Sequence, residues 1–293
     1  MSIAAILRTG PFVTRIETDI SAITHGLRQL YAPDQLLMDV EFSDFDVAVV
    51  RPLLRRWYRP QATFLFDGHP PFLPLPLAHA VPLLEWGLNW AISLHAHEYL
   101  IVHAAVIERD GFAAIMPGVP GAGKSTLASA LAHRGWRILS DELALISFED
   151  RRVVPLERPI NLKNESIEVI RRFAPDAAFS PIFRGTSKGD VALMRPSAGG
   201  VACRSQRAIP AWIIFPKYIN GLPAELERKR KAQFLLTLAS NAFNFSMHGP
   251  RGFELMADIV DQCDCFRFSY AELDEAVEIF AGLRPPERLA SRQ

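Results

Sequence analysis

The chain has 293 residues, of which 49% are hydrophobic and 22% are charged, a composition typical of globular proteins that bury a substantial core. Its 32 Lys and Arg residues balance 32 Asp and Glu residues, and no long basic run occurs, so we expect no nucleic-acid partner. Three cysteines without a recognisable framework (Cys203, Cys263 and Cys265) argue against a disulfide-stabilised secreted domain. Cys263-x-Cys265 lacks the second ligand pair that a structural zinc site needs.

The N-terminal residues do not resemble a signal peptide, because Arg8 and Gly10 interrupt the chain before a long apolar stretch forms. No later run is apolar over the length that a membrane-spanning helix needs. We therefore expect a cytoplasmic protein without a membrane partner.

Residues 1–75 are predicted to form an N-terminal α+β module. Residues 19–30 have the apolar spacing of a helix, and strand-like runs follow between Val40 and Val50. Residues 68–78 contain four prolines, which exclude a central strand or a helix interior. We interpret this segment as a connector or extended arm that leads into the main domain.

Residues 76–285 are predicted to form the main domain, and residues 286–293 a flexible tail. A helix with a broad apolar face at residues 78–96 precedes a strand at 99–107, and Asp110-Gly111 predicts a hairpin turn into a second strand at 112–116. Helical or strand patterns then follow, in order, at residues 124–134, 136–139, 143–147, 152–156, 211–215, 233–245 and 252–261.

The sequence GVPGAGKS at residues 118–125 matches the complete phosphate-binding pattern G-x-x-x-x-G-K-[ST]. Glycines allow successive backbone N–H groups to face an anion, and the following helix adds its positive N-terminal end. The lysine supplies a cation for the β- and γ-phosphates, and the serine hydroxyl suits Mg²⁺. We therefore predict a site for ATP and Mg²⁺ formed by Gly118, Val119, Pro120, Gly121, Ala122, Gly123, Lys124, Ser125 and Thr126.

An acidic pair, Asp141-Glu142, ends the strand that follows the loop helix. A strand–helix–strand unit places that strand parallel to the one before the loop, so its carboxyl end faces the ligand side of the sheet. One carboxylate there can hold Mg²⁺, and one can accept a proton from an attacking hydroxyl. Acidic pairs at strand ends are also common on protein surfaces, and the position relative to the loop favours the functional interpretation.

Histidines offer two further candidates. His103 lies in an apolar strand run before the loop, where a histidine is more often a hydrogen-bonded core residue than a site residue. His95, His97 and Glu98 form an H-x-H-E string, for which no third protein ligand is identifiable.

These motifs together resemble the HPr kinase/phosphorylase superfamily, and most closely its bacterial members called HprK-related kinase A. The resemblance covers about residues 98–262 and depends on a histidine in a strand, the phosphate-binding loop and an R-G-x-x-L-x-x-D-D-like run at residues 134–142. Similar segments lie at residues 158–163, 188–190, 215–218 and 241–245.

The resemblance implies an α/β P-loop kinase core of the HPr kinase/PEP carboxykinase type that uses Mg-ATP. It implies Asp141 as the catalytic carboxylate, favours His103 as a site residue, and makes Lys163 a candidate phosphate or acceptor contact, although this lysine alone would be interpreted as a surface residue. With Lys124, which the loop motif predicts, Asp141 and His103 form the predicted catalytic set. It also implies a homo-oligomer.

Departures from the family indicate an acceptor other than HPr. Glu142 stands in place of a second Asp, Ala104 stands in place of a Gly, and no glycine-rich substrate loop follows Leu156. We therefore expect an ATP-dependent kinase that phosphorylates a hydroxyl of a protein, peptide or small molecule. The alternatives are an ATP-binding switch or assembly factor with slow or no hydrolysis, and a nucleotide binder that has lost its acceptor chemistry.

Overall fold

The computed structural model describes residues 3–52, 58–196 and 205–290, which form two compact units. The first combines the N-terminal segment up to His95 with Arg158–Arg171 and Asp176–Arg195. The second combines Ala96–Glu157, Arg172–Pro175 and the segment from Pro196 onward. The predicted boundary between residues 75 and 76 stays a prediction.

The secondary structure is mixed, in agreement with the predicted α/β class. The strands among the described residues are β1 (Ile3–Thr9), β2 (Phe12–Thr18), β3 (Leu36–Leu37), β4 (Phe45–Val50), β5 (Gln61–Phe66), β6 (Leu75–Pro76), β7 (Tyr99–Arg109), β8 (Phe112–Pro117), β9 (Arg137–Ser140), β10 (Leu143–Ser147), β11 (Val153–Val154), β12 (Ile160–Lys163), β13 (Phe183–Thr186), β14 (Gly189–Met194), β15 (Ile209–Tyr218), β16 (Glu225–Arg228) and β17 (Asp264–Tyr270).

The helices are α1 (Ser21–Leu30), α2 (Ala80–His95), α3 (Lys124–Ala132), α4 (Glu165–Phe173), α5 (Lys231–Ser240), α6 (Phe245–Gln262), α7 (Leu273–Ala281) and α8 (Glu287–Ala290). Short 3₁₀ turns lie at Pro33–Gln35 and Leu77–His79. None of the helices in the described ranges combines the length and apolar character that a membrane crossing requires.

The first unit contains a six-stranded sheet in the order β3-β1-β2-β4-β5-β6 and a three-stranded sheet in the order β12-β14-β13. In β4, the alternate residues Phe45, Val47 and Val49 are buried, as expected for a strand with one face on a core. The predicted strand-like run begins too early, because Phe42 is 72% exposed and lies outside β4.

A buried ion pair lies in the first unit. Arg158 donates from Nη2 to Glu85 Oε2 at 2.6 Å and from Nη1 to Asn89 Oδ1 at 2.5 Å. The Tyr31 hydroxyl donates to the same carboxylate at 2.8 Å, and burial raises the pKa of this tyrosine well above its usual value. The guanidinium and the tyrosine thus provide the hydrogen bonds that a carboxylate requires in a low-dielectric core.

The second unit is built on a sheet in the order β11-β10-β7-β8-β15-β17-β16, with β9 also paired to β7. β7 is antiparallel to β8, β9 and β10, whereas β8, β15 and β17 are parallel to one another. β8 and β9 therefore point the same way, as predicted, but β7 lies between them.

Helices cover both faces of this sheet. Phe234 of α5 and Met256 of α6 join the core cluster that contains Ile115 of β8 and Cys265 of β17. Phe268 points to the opposite face of β17, because its position differs from that of Cys265 by three residues, and there it packs edge-on against Phe280 of α7. Helix α3 packs against α7.

Two helix predictions in the second unit need correction. The helix predicted over residues 233–245 ends at Ser240, because the next residues bond to β7: Phe243 donates its N–H to the Ile101 carbonyl at 2.9 Å. The helix predicted from residue 252 belongs to α6, which begins at Phe245 and is broken at Gly249, where φ is 52°. Pro250, which cannot donate a backbone hydrogen bond, follows this break.

The segment predicted as a flexible tail begins with α8. Leu289 in this helix is buried, and Arg288 donates to the carbonyls of Gln262 at 3.0 Å and Cys263 at 3.2 Å. Residues 291–293 lie outside the described ranges, as does Cys203.

Candidate functional site

A glycine-rich loop connects β8 to α3 at the carboxyl end of β8. Three of its glycines have positive φ: 153° at Gly118, 84° at Gly121 and 89° at Gly123. Gly123 is the N-cap residue of α3 and has a left-handed conformation that other residues adopt only at a cost. The glycines of the motif thus occupy the positions at which the backbone turns into the helix.

Two neighbouring strands fix the end of this loop. The Tyr218 N–H donates to the Ala122 carbonyl at 3.1 Å. The Gly123 carbonyl accepts from the Tyr270 hydroxyl at 2.9 Å and from the Leu127 N–H at 2.9 Å. Tyr218 and Tyr270 are partners in the parallel pairing of β15 and β17, so both strands end beside the start of α3.

Gly123 and Tyr270 lie so close that no side chain would fit between them. A Cβ atom on Gly123 would be 2.3 Å from the Tyr270 hydroxyl oxygen, well inside contact distance. Burial raises the pKa of Tyr270 well above its usual value, so the phenol keeps its proton, and with it the hydrogen bond to the loop, even in alkaline solution.

Lys124, the first residue of α3, is 8% exposed. Its ammonium donates to the carbonyls of Gly118 at 2.5 Å and Val119 at 3.3 Å, so its charge lies over the loop. Ser125 and Thr126 follow in the first helical turn, and both are partly exposed.

The register of the sheet relates this loop to the acidic pair. Ala104 of β7 lies opposite Pro117, which immediately precedes the loop, and its N–H donates to the Glu142 carbonyl at 3.2 Å on the other side. Neighbouring strands are separated by about 4.8 Å, so the backbones at Pro117 and Glu142 are about 10 Å apart. The predicted carboxylates and the loop therefore lie at the same edge of the sheet.

The acidic pair lies in a short irregular segment between β9 and β10. The Ser140 hydroxyl accepts a hydrogen bond from the Leu143 N–H at 3.1 Å and thereby shapes the segment that carries Asp141 and Glu142. Asp141 is 7% exposed, whereas Glu142 is partly exposed.

His103 lies at the same edge, one residue before Ala104. It pairs with Leu143 of β10, and its N–H donates to the Asn241 carbonyl at 2.7 Å. Its ring is partly exposed and lies edge-on to Phe243, with ring centroids 5.9 Å apart. The register thus brings His103 to the end of the sheet that carries the loop.

Lys163 belongs to the first unit, at the end of β12. Its backbone N–H donates to the Ser166 hydroxyl at 2.9 Å, and its carbonyl accepts from that hydroxyl at 2.6 Å. A role for its side chain stays a prediction.

Within the described ranges, no three His, Cys, Asp or Glu side chains converge to hold a metal ion. His95 of the H-x-H-E string instead stacks on Phe66, with ring centroids 4.7 Å apart. Mg²⁺ in kinases commonly needs only one or two carboxylates together with substrate phosphates. The oxygens of Ser125, Asp141 and Glu142 have the chemistry that such an ion requires.

Three residues of this region carry no role in the sequence motifs: Tyr218, Phe243 and Tyr270. The first two lie in segments that support the family resemblance, and all three are far from the loop in sequence. A signal was present for Tyr218, which ends the strand that contains the apolar run at residues 211–215 and whose carboxyl end is expected at the ligand side.

No family model matches the sequence, and no curated protein matches it. Among solved structures, the chain is similar to the Hpr(Ser) kinase/phosphatase from Coxiella burnetii, with a TM-score of 0.27 and 13% sequence identity. The alignment covers 66% of this chain and 99% of that protein. This is a distant likeness to a kinase/phosphatase, and at this TM-score it carries no argument about activity.

Proposed function

We propose that this protein is an ATP- and Mg²⁺-dependent kinase with a P-loop core of the HPr kinase/PEP carboxykinase type. It transfers the γ-phosphoryl group to a hydroxyl of a protein, peptide or small molecule other than HPr. The observation that supports this most strongly is the complete motif at residues 118–125 in the required strand–loop–helix context, with Lys124 over a loop of positive-φ glycines.

The loop residues would bind the phosphates of ATP. Backbone N–H groups at the start of α3 and the Lys124 ammonium supply positive charge for the β- and γ-phosphates, and the Thr126 hydroxyl supplies a further donor. Ser125 would hold Mg²⁺ with Glu142 or Asp141, and the ion when bound supplies charge neutralisation at the phosphates.

Asp141 would accept the proton of the acceptor hydroxyl as that hydroxyl attacks phosphorus. The carboxylate is 7% exposed, and in such surroundings a charge interacts more strongly with nearby groups than it does in water. His103, at the same sheet edge, would contact the transferred group or the acceptor. Lys163 is proposed as an additional phosphate or acceptor contact, and the protein as a cytoplasmic homo-oligomer.

The test is incubation with γ-labelled ATP and Mg²⁺, with and without extract of the native host. We expect label on a discrete acceptor with the wild-type protein. Lys124→Ala should abolish the transfer. The control is Lys231→Ala, which removes the first residue of α5, a lysine that bonds to Asp261, and should leave the transfer unchanged. Asp141→Asn should abolish transfer while Mg-ATP still binds, and preserved transfer in that variant would remove Asp141 from the role of base.

The alternative is an ATP-binding switch or assembly factor. Slow release of free phosphate without a labelled acceptor, together with a partner that binds only in the presence of ATP, would favour that function over the kinase. The absence of ATP binding by the wild-type protein would contradict both.

A further inference from the structure

The two sides of the glycine-rich loop differ in chemistry. On one side of β8, β7 leads to the acidic pair through the contact between Ala104 and Glu142. On the other side, β15 and β17 end in Tyr218 and Tyr270. The loop therefore lies between a carboxylate side and an aromatic side.

On the side of the loop formed by β15 and β17, the Tyr218 ring is packed against a neighbour and is still accessible to solvent. Half of this residue is exposed, and its ring lies edge-on to the buried Tyr270 ring, with centroids 5.9 Å apart and planes at 74°. Its N–H is bonded to the Ala122 carbonyl, and its Cβ is 3.2 Å from the point where a Gly123 Cβ would lie. The ring is thus anchored next to the residue at which α3 begins.

The order of the strands sets the direction in which a nucleotide can lie. If a carboxylate of the acidic pair is to act on the γ-phosphate, that phosphate must lie toward β7. The α-phosphate and the nucleoside then extend away from β7, toward the ends of β15 and β17. Tyr218, at the end of β15, is half exposed and lies on that side of the loop.

We propose that the Tyr218 ring is the platform on which the base of the bound nucleoside triphosphate stacks. The inference rests on the proposed nucleotide-binding function and adds a base subsite to it. Every nucleobase has a flat π-face, so stacking on this ring accepts adenine and guanine alike.

The test compares the binding of Mg-ATP, Mg-GTP and Mg-tripolyphosphate by calorimetry. Tripolyphosphate has the phosphate chain without the nucleoside, so its affinity reports the contribution of the phosphate-binding loop alone. Tyr218→Ala removes the ring but keeps the backbone N–H on Ala122. We expect about a tenfold or larger loss of affinity for both nucleotides, with tripolyphosphate binding unchanged.

Two variants serve as controls. Tyr218→Phe keeps the ring and should bind the nucleotides like the wild-type protein. Phe253→Ala removes another half-exposed aromatic ring, on α6, and should change nothing. Unchanged ATP affinity in Tyr218→Ala would overturn the base subsite and leave the kinase proposal intact.

An equal loss of ATP and tripolyphosphate binding in Tyr218→Ala would also overturn the base subsite, because it would show that the ring only supports the loop. If the wild-type protein binds neither nucleotides nor tripolyphosphate, the proposed function fails, and the base subsite fails with it.

Discussion

The Tyr270 hydroxyl donates a 2.9 Å hydrogen bond to the carbonyl of Gly123, and the same oxygen occupies the space that a Gly123 side chain would need. The tyrosine comes from the end of β17 and the glycine from the start of α3. One contact thus fixes both the position of the loop and the identity of its last glycine.

Gly123→Ala should therefore destabilise the protein more than Gly121→Ala. Both residues have positive φ, which costs about 1 kcal/mol for alanine, but nothing lies within 4 Å of a Cβ at Gly121. The clash with Tyr270 should raise the total at Gly123 to about 3 kcal/mol. Urea unfolding of the two variants measures the difference. Equal destabilisation would contradict the close approach.

Removal of the His103 side chain should slow phosphoryl transfer without weakening nucleotide binding. His103 lies one residue from the strand position that connects the loop with the acidic pair. We expect His103→Asn to lower kcat on the order of a hundredfold, the contribution typical of a positioned side chain that transfers or holds a proton. Single-turnover kinetics and the Kd for Mg-ATP separate the two effects. His97→Asn, at an exposed histidine of the same unit, is the control.

Glu85→Gln should strongly destabilise the first unit, because it leaves the guanidinium of Arg158 buried without its counter-charge. We expect a cost of about 3–5 kcal/mol. Tyr31→Phe removes the hydroxyl that donates to both oxygens of the same carboxylate, and it should cost about 1.5–3 kcal/mol because the acceptor is charged. Denaturant unfolding, followed at several wavelengths, measures the free energy of unfolding of both variants.

Asp19→Asn serves as a reference for these variants. It breaks the pair with Arg51 at 2.9 Å, in which both side chains are one-third exposed, and should cost less than about 1 kcal/mol. If Glu85→Gln lowers the free energy of unfolding no more than Asp19→Asn does, the buried ion pair contributes no more to stability than an exposed one.

The stability of the second unit should fall as the pH rises above 9. Burial raises the pKa of the Cys263 thiol well above its ordinary value of 9.0 and that of Cys265 to about 11. Between the ordinary pKa and the raised pKa of each thiol, the unfolded chain has lost a proton that the folded chain keeps. Unfolding therefore becomes more favourable with increasing pH. The stabilisation is complete below pH 9; the part due to Cys265 is lost as the pH rises through about 11, and the part due to Cys263 is lost at higher pH.

Urea unfolding from pH 8 to pH 11 tests this dependence. The double variant Cys263→Ala/Cys265→Ala should show a flatter profile between pH 9 and pH 10, where the thiols contribute more than the buried tyrosines, whose ordinary pKa is 10.0. A profile as steep as that of the wild-type protein would assign the effect to other groups. Slow alkylation of both thiols at pH 8, accelerated in urea, provides an independent check of their burial.

The sequence predicts this fold best where signals are local. Asp110-Gly111 marks the β7–β8 hairpin because the turn needs positive φ, and Gly111 has a φ of 83°. The loop motif predicts the strand before it and the helix after it, and both are present. Contacts between distant residues leave no such signal. The pairing of Tyr218 with Tyr270 and the bond from Arg158 to Glu85 depend on sheet register and core packing.

The ends of α5 and α6 show the same limit. Apolar spacing continues past Ser240, but the following residues bond to β7 instead of extending the helix: the Asn244 side chain accepts from the Ile101 N–H at 2.9 Å and donates to the Tyr99 carbonyl at 2.8 Å. Local helix propensity is outweighed here by hydrogen bonds to a strand far away in sequence.

The first unit is built from segments that lie far apart in the sequence, and this has a consequence for the order in which it can form during synthesis. Glu85 is translated early, whereas Arg158, its partner in the buried pair, follows only after the whole glycine-rich loop and α3 have been made. A nascent chain that ends near His95 contains Glu85 but not yet the arginine that pairs with its carboxylate in the core. The core of the first unit can therefore be completed only after the residues beyond the loop have been synthesised.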